Sequence, residues 1–297
     1  MKRCSGCGVL LQDKDINSIG YVEEKKFLDG SENILCRRCF RLRHYNENIG
    51  VDTENLFSKE LIYKIKQEKA LIVHVVNLFN FEETIINNIN NIFSTDNILL
   101  VLNKQDLFLK TYPFTKLLKY INEYLKIRKL FVKDIVVVSG TKEKNLTELI
   151  TKIEQYRKHK NVYFIGMTNV GKSTLLNKIW KSISKQEEKI TTSIVPNTTL
   201  DIIAFPIDTK TYLFDTPGFN DKTLLSSMLS LETLKKITPN TYIRPKVFQL
   251  LPKQTLFIAG FVRLDYLSGD SKGFTTNFCN SLVIHRTKIL QADAFYR

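Results

Sequence analysis

Gly166-Met167-Thr168-Asn169-Val170-Gly171-Lys172-Ser173-Thr174 follows the pattern G-x-x-x-x-G-K-[ST], the phosphate-binding loop. Its flanks fit. Val162-Tyr163-Phe164-Ile165 reads as a short buried strand, and Leu175-Leu176-Asn177-Lys178-Ile179-Trp180 as a helix. The loop therefore lies at a strand-to-helix turn, where backbone N–H groups and a helix N-terminus attract an anion. Gly166 and Gly171 permit the tight path. Lys172 is expected to reach the β- and γ-phosphates of a nucleoside triphosphate and Ser173 to hold Mg²⁺, with Val170 and Thr174 completing the lining. A chance match in a loop is the bland alternative, and the flanking strand and helix argue against it.

Outward from this loop the chain alternates strands and helices. Leu71 to Val76, Ile98 to Leu102 and Ile135 to Val138 are apolar, β-branched runs. Phe114 to Leu130 and Leu146 to Tyr156 have helical periodicity. Such alternation implies a mostly parallel sheet covered on both faces. Asn103-Lys104-Gln105-Asp106 directly follows the second strand and has the N-K-x-D form that reads guanine in GTPases. Guanine has donors at N1 and N2, which the Asp106 carboxylate can accept together; adenine lacks that pair. Asn103 can reach the other base edge and tie its loop to the phosphate loop, while the Lys104 stem lies over the base. Ligands of open α/β sheets bind at such strand ends. Ser139-Gly140-Thr141-Lys142 ends the next strand and resembles the S-A-K loop, whose backbone N–H contacts guanine O6; Gly140 replaces the usual alanine.

Two switch segments are expected downstream. Asp215-Thr216-Pro217-Gly218 is D-x-x-G, with Asp215 binding Mg²⁺ through water and the Gly218 N–H sensing the γ-phosphate. Pro196-Asn197-Thr198-Thr199-Leu200-Asp201 precedes a strand, and Thr199 is the second Mg²⁺-linked hydroxyl. Loss of the γ-phosphate would release both segments. The base-reading motifs thus precede the phosphate-reading ones, which is a circular permutation of a Ras-like domain joined near Arg157-Lys158-His159-Lys160. Permutation is mild where termini lie close together. The segment after Gly218 is then tethered to the second switch.

The 297 residues, 43% hydrophobic, suffice for two or three cored domains. We expect a zinc module over 1–53, the α/β domain over 54–221 and a basic, β-rich module over 222–297. Cys4-Ser5-Gly6-Cys7 and Cys36-Arg37-Arg38-Cys39 are paired C-x-x-C turns, the spacing of a closed four-thiolate Zn²⁺ site. Disulfides or a redox pair are the alternatives; Met1-Lys2-Arg3 leads straight into Cys4 without a secretory pattern, which disfavours a disulfide framework. Cys279 reads as a small buried apolar residue. His44 has no role as a ligand beside four thiolates, though it lies in the basic stretch around the second knuckle. A net charge of +14 favours a polyanionic partner, and the apolar runs are too short to cross a bilayer. Arg37, Arg38, Arg41 and Arg43 crowd the second knuckle, either as phosphate-backbone contacts or as a solvated face. In the last module, basic residues such as Arg244, Lys246, Arg286 and Lys288 interleave with Phe257, Phe261, Tyr266, Phe274 and Phe278; RNA contact and simple core packing both remain open.

Together, the four-cysteine knuckle, the permuted GTPase motifs and the basic C-terminal region resemble the bacterial YqeH family and its organellar relatives. The resemblance also rests on Thr192 to Asp201, Phe257 to Tyr266, Ile284 to Lys288 and Ala292 to Tyr296. It implies a GTP/GDP switch working in small-ribosomal-subunit assembly, with rRNA or a precursor particle as partner and a cytoplasmic place, organellar in a eukaryote. Departures are Asn77 and Asn80, where the family has aspartates, Asn197, where it has glycine, and an end at Arg297 soon after the His-Arg-Thr-Lys stretch, so a shortened last module is expected. Phe219 follows the D-x-x-G glycine, where many small GTPases place a water-orienting glutamine, so slow hydrolysis is expected. Asn169 stands where some related GTPases hold K⁺ against the β–γ bridge; a bond within the loop is the other reading. Lys172, Thr199 and Asn169 are the candidate catalytic groups. Two rivals stand beside this reading. One is an RNA-binding scaffold that binds GTP without turnover. The other is a metabolic kinase, against which the guanine motif argues.

Overall fold

The computed structural model describes residues 2, 4, 10–15, 20–28, 34–37, 59–109, 112–184, 202–216, 218 and 229–296. Thr198, Thr199, Cys7, Cys39, Arg38, Arg41, Arg43, His44 and Phe219 lie outside them. Contacts divide the chain into two units, Met1–Gln105 with Thr115–Met228, and Asp106–Phe114 with Leu229–Arg297.

The first unit is built on strands β1 (Leu71–Asn77), β2 (Ile98–Asn103), β3 (Asp134–Val137), β4 (Val162–Ile165), β5 (Ile203–Pro206) and β6 (Tyr212–Asp215). They form one sheet in the order β3-β2-β1-β4-β6-β5. All pairings are parallel except β5 with β6. β1, β2 and β4 are nearly continuous apolar runs because both faces of a parallel sheet are covered. Successive side chains alternate between those faces. Leu71, Val73 and Val75 join one core with Leu149 and Ile153 of helix Leu146–Arg157 and Leu175, Leu176 and Ile179 of helix Lys172–Ser184. Truncating such a fully buried leucine to alanine costs about 2–5 kcal/mol. His74 lies within the sheet between these apolar neighbours, and its Nε2 accepts the Ile86 N–H. Burial, and then the charge of Lys172, push it down to about 3, so the ring is neutral.

Counted from β4 as first, the spatial order is 2-3-1-4-5-6 with only the second strand antiparallel. The permuted topology read from the motif order is therefore the observed one. Its joint is pinned by polar contacts. Arg157, 5% exposed, bonds Glu154 on its own helix and Asp208 and Thr211 in the β5–β6 turn. Next along, Asn161 accepts the Tyr212 N–H and donates to Glu68, which also takes the Tyr163 hydroxyl. The edge strand is fastened similarly: Asp134 receives Lys152 Nζ at 2.6 Å and Tyr156 OH at 2.8 Å. Burial opposes its charge, but these donors outweigh burial and hold the carboxyl below its ordinary range.

The second unit carries two antiparallel sheets. β7 (Lys246–Leu250) pairs with β10 (Lys272–Thr276); β8 (Gln254–Ile258) lies between β9 (Val262–Tyr266) and β11 (Ile284–Lys288). Leu250, Leu256 and Ile258 form its core, with Phe248, Tyr266 and Phe274 packed against them. Phe257 is buried, whereas Phe261 and Phe278 are exposed. The expected aromatic row thus divides between core and surface.

Candidate nucleotide site

At the carboxyl ends of β4, β1 and β2 the sequence motifs of the first unit converge. β4 runs into the loop at Gly166, and the helix begins at Lys172. Gly166 has φ +152, and a Cβ there would lie 2.2 Å from the Val75 carbonyl oxygen on β1. Only glycine lets the loop leave the sheet this closely. Gly171 has φ +91, and its Cβ would meet Asn103 Nδ2 at 2.5 Å. Asn169 has φ 62, the left-handed conformation that asparagine tolerates better than most residues. That gives this position a conformational reason for asparagine, alongside the two weighed from sequence.

Asn103, 3% exposed, ties three loops together. Its Nδ2 donates to the Val170 carbonyl at 2.9 Å, and its Oδ1 accepts the Gly140 N–H at 3.0 Å. Gly140 itself has room: an added Cβ would meet Leu175 at 3.5 Å and Asn103 Oδ1 at 3.6 Å. The alanine usual in S-A-K loops would therefore fit, and this departure leaves the loop's geometry intact. Ser139 is buried; its Oγ accepts the Lys142 N–H and lies 3.2 Å from Thr141 Oγ1, which closes the turn. Lys104 takes φ 67, an uncommon left-handed conformation for lysine. Asp106 belongs to the other unit, in the 3₁₀ turn Gln105–Leu107 directly after β2. Asn77 caps the turn after β1 by accepting the Phe79 N–H, a task an aspartate carboxylate performs equally well.

The phosphate end is compact. Ser173 Oγ donates to Asp215 Oδ2 at 2.6 Å, joining the loop's helix to the end of β6. Lys172 Nζ donates to the carbonyls of Gly166 at 3.0 Å and Met167 at 3.2 Å. Burial pushes its ammonium down to about 8, against the opposing pull of Asp215. Gly218 lies against this group. A Cβ there would come within 2.9 Å of Lys172 Nζ and 3.1 Å of Thr168 Cα. Thr216 fixes the approach by donating its hydroxyl to Phe164 O at 2.8 Å. Sequence reasoning missed Thr168 as the neighbour of Gly218; the contact crosses 50 residues and no local pattern signals it. Thr174 is exposed on the helix's first turn. Hydroxyl and carboxylate oxygens meeting beside a lysine suit the hard, oxygen-seeking Mg²⁺ that accompanies a triphosphate.

In the N-terminal segment, Cys4 and Cys36 are both buried, and the Cys36 N–H donates to Cys4 Sγ at 3.2 Å. An amide pointed at sulfur suits a thiolate, and the contact brings Cys4 and Cys36 together. Among the described residues no group of three or more His, Cys, Asp or Glu could hold a metal. Likewise, among them no helix is long and apolar enough to cross a membrane.

A sheet in this order, with a phosphate loop at its central strand and D-x-x-G beside it, defines a P-loop GTPase-like domain in circularly permuted form. A family model described as RsgA GTPase matches residues 52–225. The YqeH protein of Bacillus subtilis is 38% identical over 293 residues, covering 99% of this chain and 80% of its own. NO-associated protein 1, chloroplastic/mitochondrial, of Arabidopsis thaliana is 27% identical, and the match spans 99% of this chain but 60% of that protein. The solved structure of YjeQ from Thermotoga maritima is 25% identical at TM-score 0.33, covering 52% of this chain and 50% of that one. The chain belongs to the RsgA GTPase family, among its YqeH-like circularly permuted members. Membership supports GTP binding and hydrolysis.

Proposed function

We propose that the protein is a GTP-hydrolysing switch acting on the small ribosomal subunit or its precursor. The meeting of Lys172, Ser173, Asp215 and Gly218 supports this most directly, because a switch needs its second segment against the phosphate loop. In this reading Lys172 neutralises the β- and γ-phosphates, and Gly166, Asn169, Val170, Gly171 and Thr174 line them. Ser173, Asp215 and Thr199 hold Mg²⁺. The bound cation would offset the negative charge developing on the phosphates. Asn103, Lys104 and Asp106, with the Ser139–Gly140 backbone, recognise guanine. Thr198 and Thr199 order with the γ-phosphate.

Cys4, Cys7, Cys36 and Cys39 hold a structural Zn²⁺ in this proposal, supported by the amide-to-sulfur contact between the knuckles. Asn169 orients K⁺. The exposed Arg244, Lys246, Lys272, Arg286 and Lys288 of the last unit face rRNA phosphates. Single-turnover conversion of GTP to GDP, lost in Lys172→Ala, is the expected result. GTP bound but left intact would favour the scaffold reading. Binding to small-subunit particles should weaken steeply with salt through counterion release; salt-independent binding would remove rRNA from the proposal.

A further inference from the structure

The carbonyl of Leu107, the residue after Asp106, accepts the Ile243 N–H at 2.8 Å. Both side chains are buried, Leu107 at 3% exposure and Ile243 at 5%. The residues flanking Ile243 are held from the other side by Asn280. Its Nδ2 donates to Tyr242 O at 2.8 Å, and its Oδ1 accepts the Arg244 N–H at 3.0 Å. Across a planar trans peptide the Tyr242 carbonyl and the Ile243 N–H point to opposite sides. Residues 242–244 therefore grip residue 107 with one edge and are gripped by one carboxamide on the other. A side-chain amide here does the work of a neighbouring strand. The whole arrangement lies inside the second unit, to which Asp106–Phe114 belongs. Within that segment Phe108, Tyr112 and Phe114 pack ring against ring. Asp106 is thus anchored from its C-terminal side by residues more than 130 positions away.

We propose that Ile243 and Asn280 are positioning residues for guanine recognition, fixing the Asp106 carboxylate through the Leu107 carbonyl. This rests on the reading of Asp106 as the acceptor from guanine N1 and N2. Hydrogen bonds weaken steeply with misalignment, and one made by a charged group is worth roughly tenfold or more in affinity. Releasing the clamp should therefore cost base discrimination before it costs phosphate binding. Inosine diphosphate lacks the 2-amino group, so the ratio of GDP to inosine diphosphate affinity reports the bond to N2 alone.

The experiment measures both affinities, with Mg²⁺, for the full chain and for Asn280→Ala and Ile243→Pro. Asn280 is exposed, so its truncation spares the core. Ile243→Pro removes the N–H that reaches Leu107. The affinity ratio is expected to fall about fivefold or more in either folded variant. A ratio unchanged within about twofold, or an equal loss for both nucleotides, would overturn the proposal. Asp106→Asn serves as the control: exchange of GDP preference for xanthosine diphosphate upholds the reading of Asp106 itself. If that exchange occurs while Asn280→Ala leaves the ratio intact, only the positioning role fails. If Asp106→Asn leaves GDP affinity unchanged, both fail.

Discussion

Asn103 offers the sharpest separation of a structural tie from a base contact. Its carboxamide spans Val170 O and Gly140 N at 2.9 and 3.0 Å, and the residue is 3% exposed. Asn103→Ala leaves two buried backbone groups unpaired, each costing about 1–3 kcal/mol, so a loss of about 3 kcal/mol is expected. Asn103→Asp tests the geometry more strictly. One carboxylate oxygen can still accept the Gly140 N–H, but the other faces the Val170 carbonyl, acceptor against acceptor. Its charge is also buried, so its cost should match or exceed that of alanine. Urea unfolding without nucleotide measures both. For a unit of this size, ~3 kcal/mol corresponds to a Tm lowered by roughly 6–12 °C. If Asn103→Asp without nucleotide unfolds at the wild-type denaturant midpoint, Asn103 does not hold the loops together.

Four further outcomes are expected. Gly140→Ala should stay within about 1 kcal/mol of wild type, whereas Gly166→Ala should lose roughly 1–3 kcal/mol or more, since its Cβ would sit 2.2 Å from Val75 O; equal unfolding midpoints for the two would refute the contrast. Lys172, held down to about 8 when folded and ordinary when unfolded, binds fewer protons in the native state between about 8 and about 10.5. The nucleotide-free protein should therefore gain stability as pH rises through that window, by up to about 3 kcal/mol from this group. A phosphate beside the ammonium restores its proton, so GDP binding at about pH 8.5 should take up roughly 0.7 proton. Calorimetry in buffers of different ionisation enthalpy reads that number, and zero uptake would contradict it. Finally, chelation or Cys4→Ser should remove a single Zn²⁺ and unfold the N-terminal segment; elemental analysis without zinc in the wild type would discard the four-thiolate site.

The sequence by itself determined the strands and the loop at the sheet's centre. β1, β2 and β4 are short apolar runs rich in β-branched and aliphatic residues that suit a strand buried on both faces, and the glycine spacing of the phosphate loop is local. Motif order alone carried the permutation, because strand ends and ligand positions are linked in open α/β sheets. The N-K-x-D motif also foretold that Asn103 ties its loop to the phosphate loop, as its bond to Val170 does. Other contacts between distant segments needed tertiary structure: Gly218 lying on Thr168 and Arg157 locking the β5–β6 turn join residues 50 or more apart. Glycine or arginine at these places carries no mark of its distant partner. The same holds for Asp106. Its four-residue motif announced a guanine reader, but that residues 106–114 pack with the C-terminal unit follows from Ile243 and the buried Leu107. Hydrophobic periodicity says that a side chain is buried; only the folded chain decides against what.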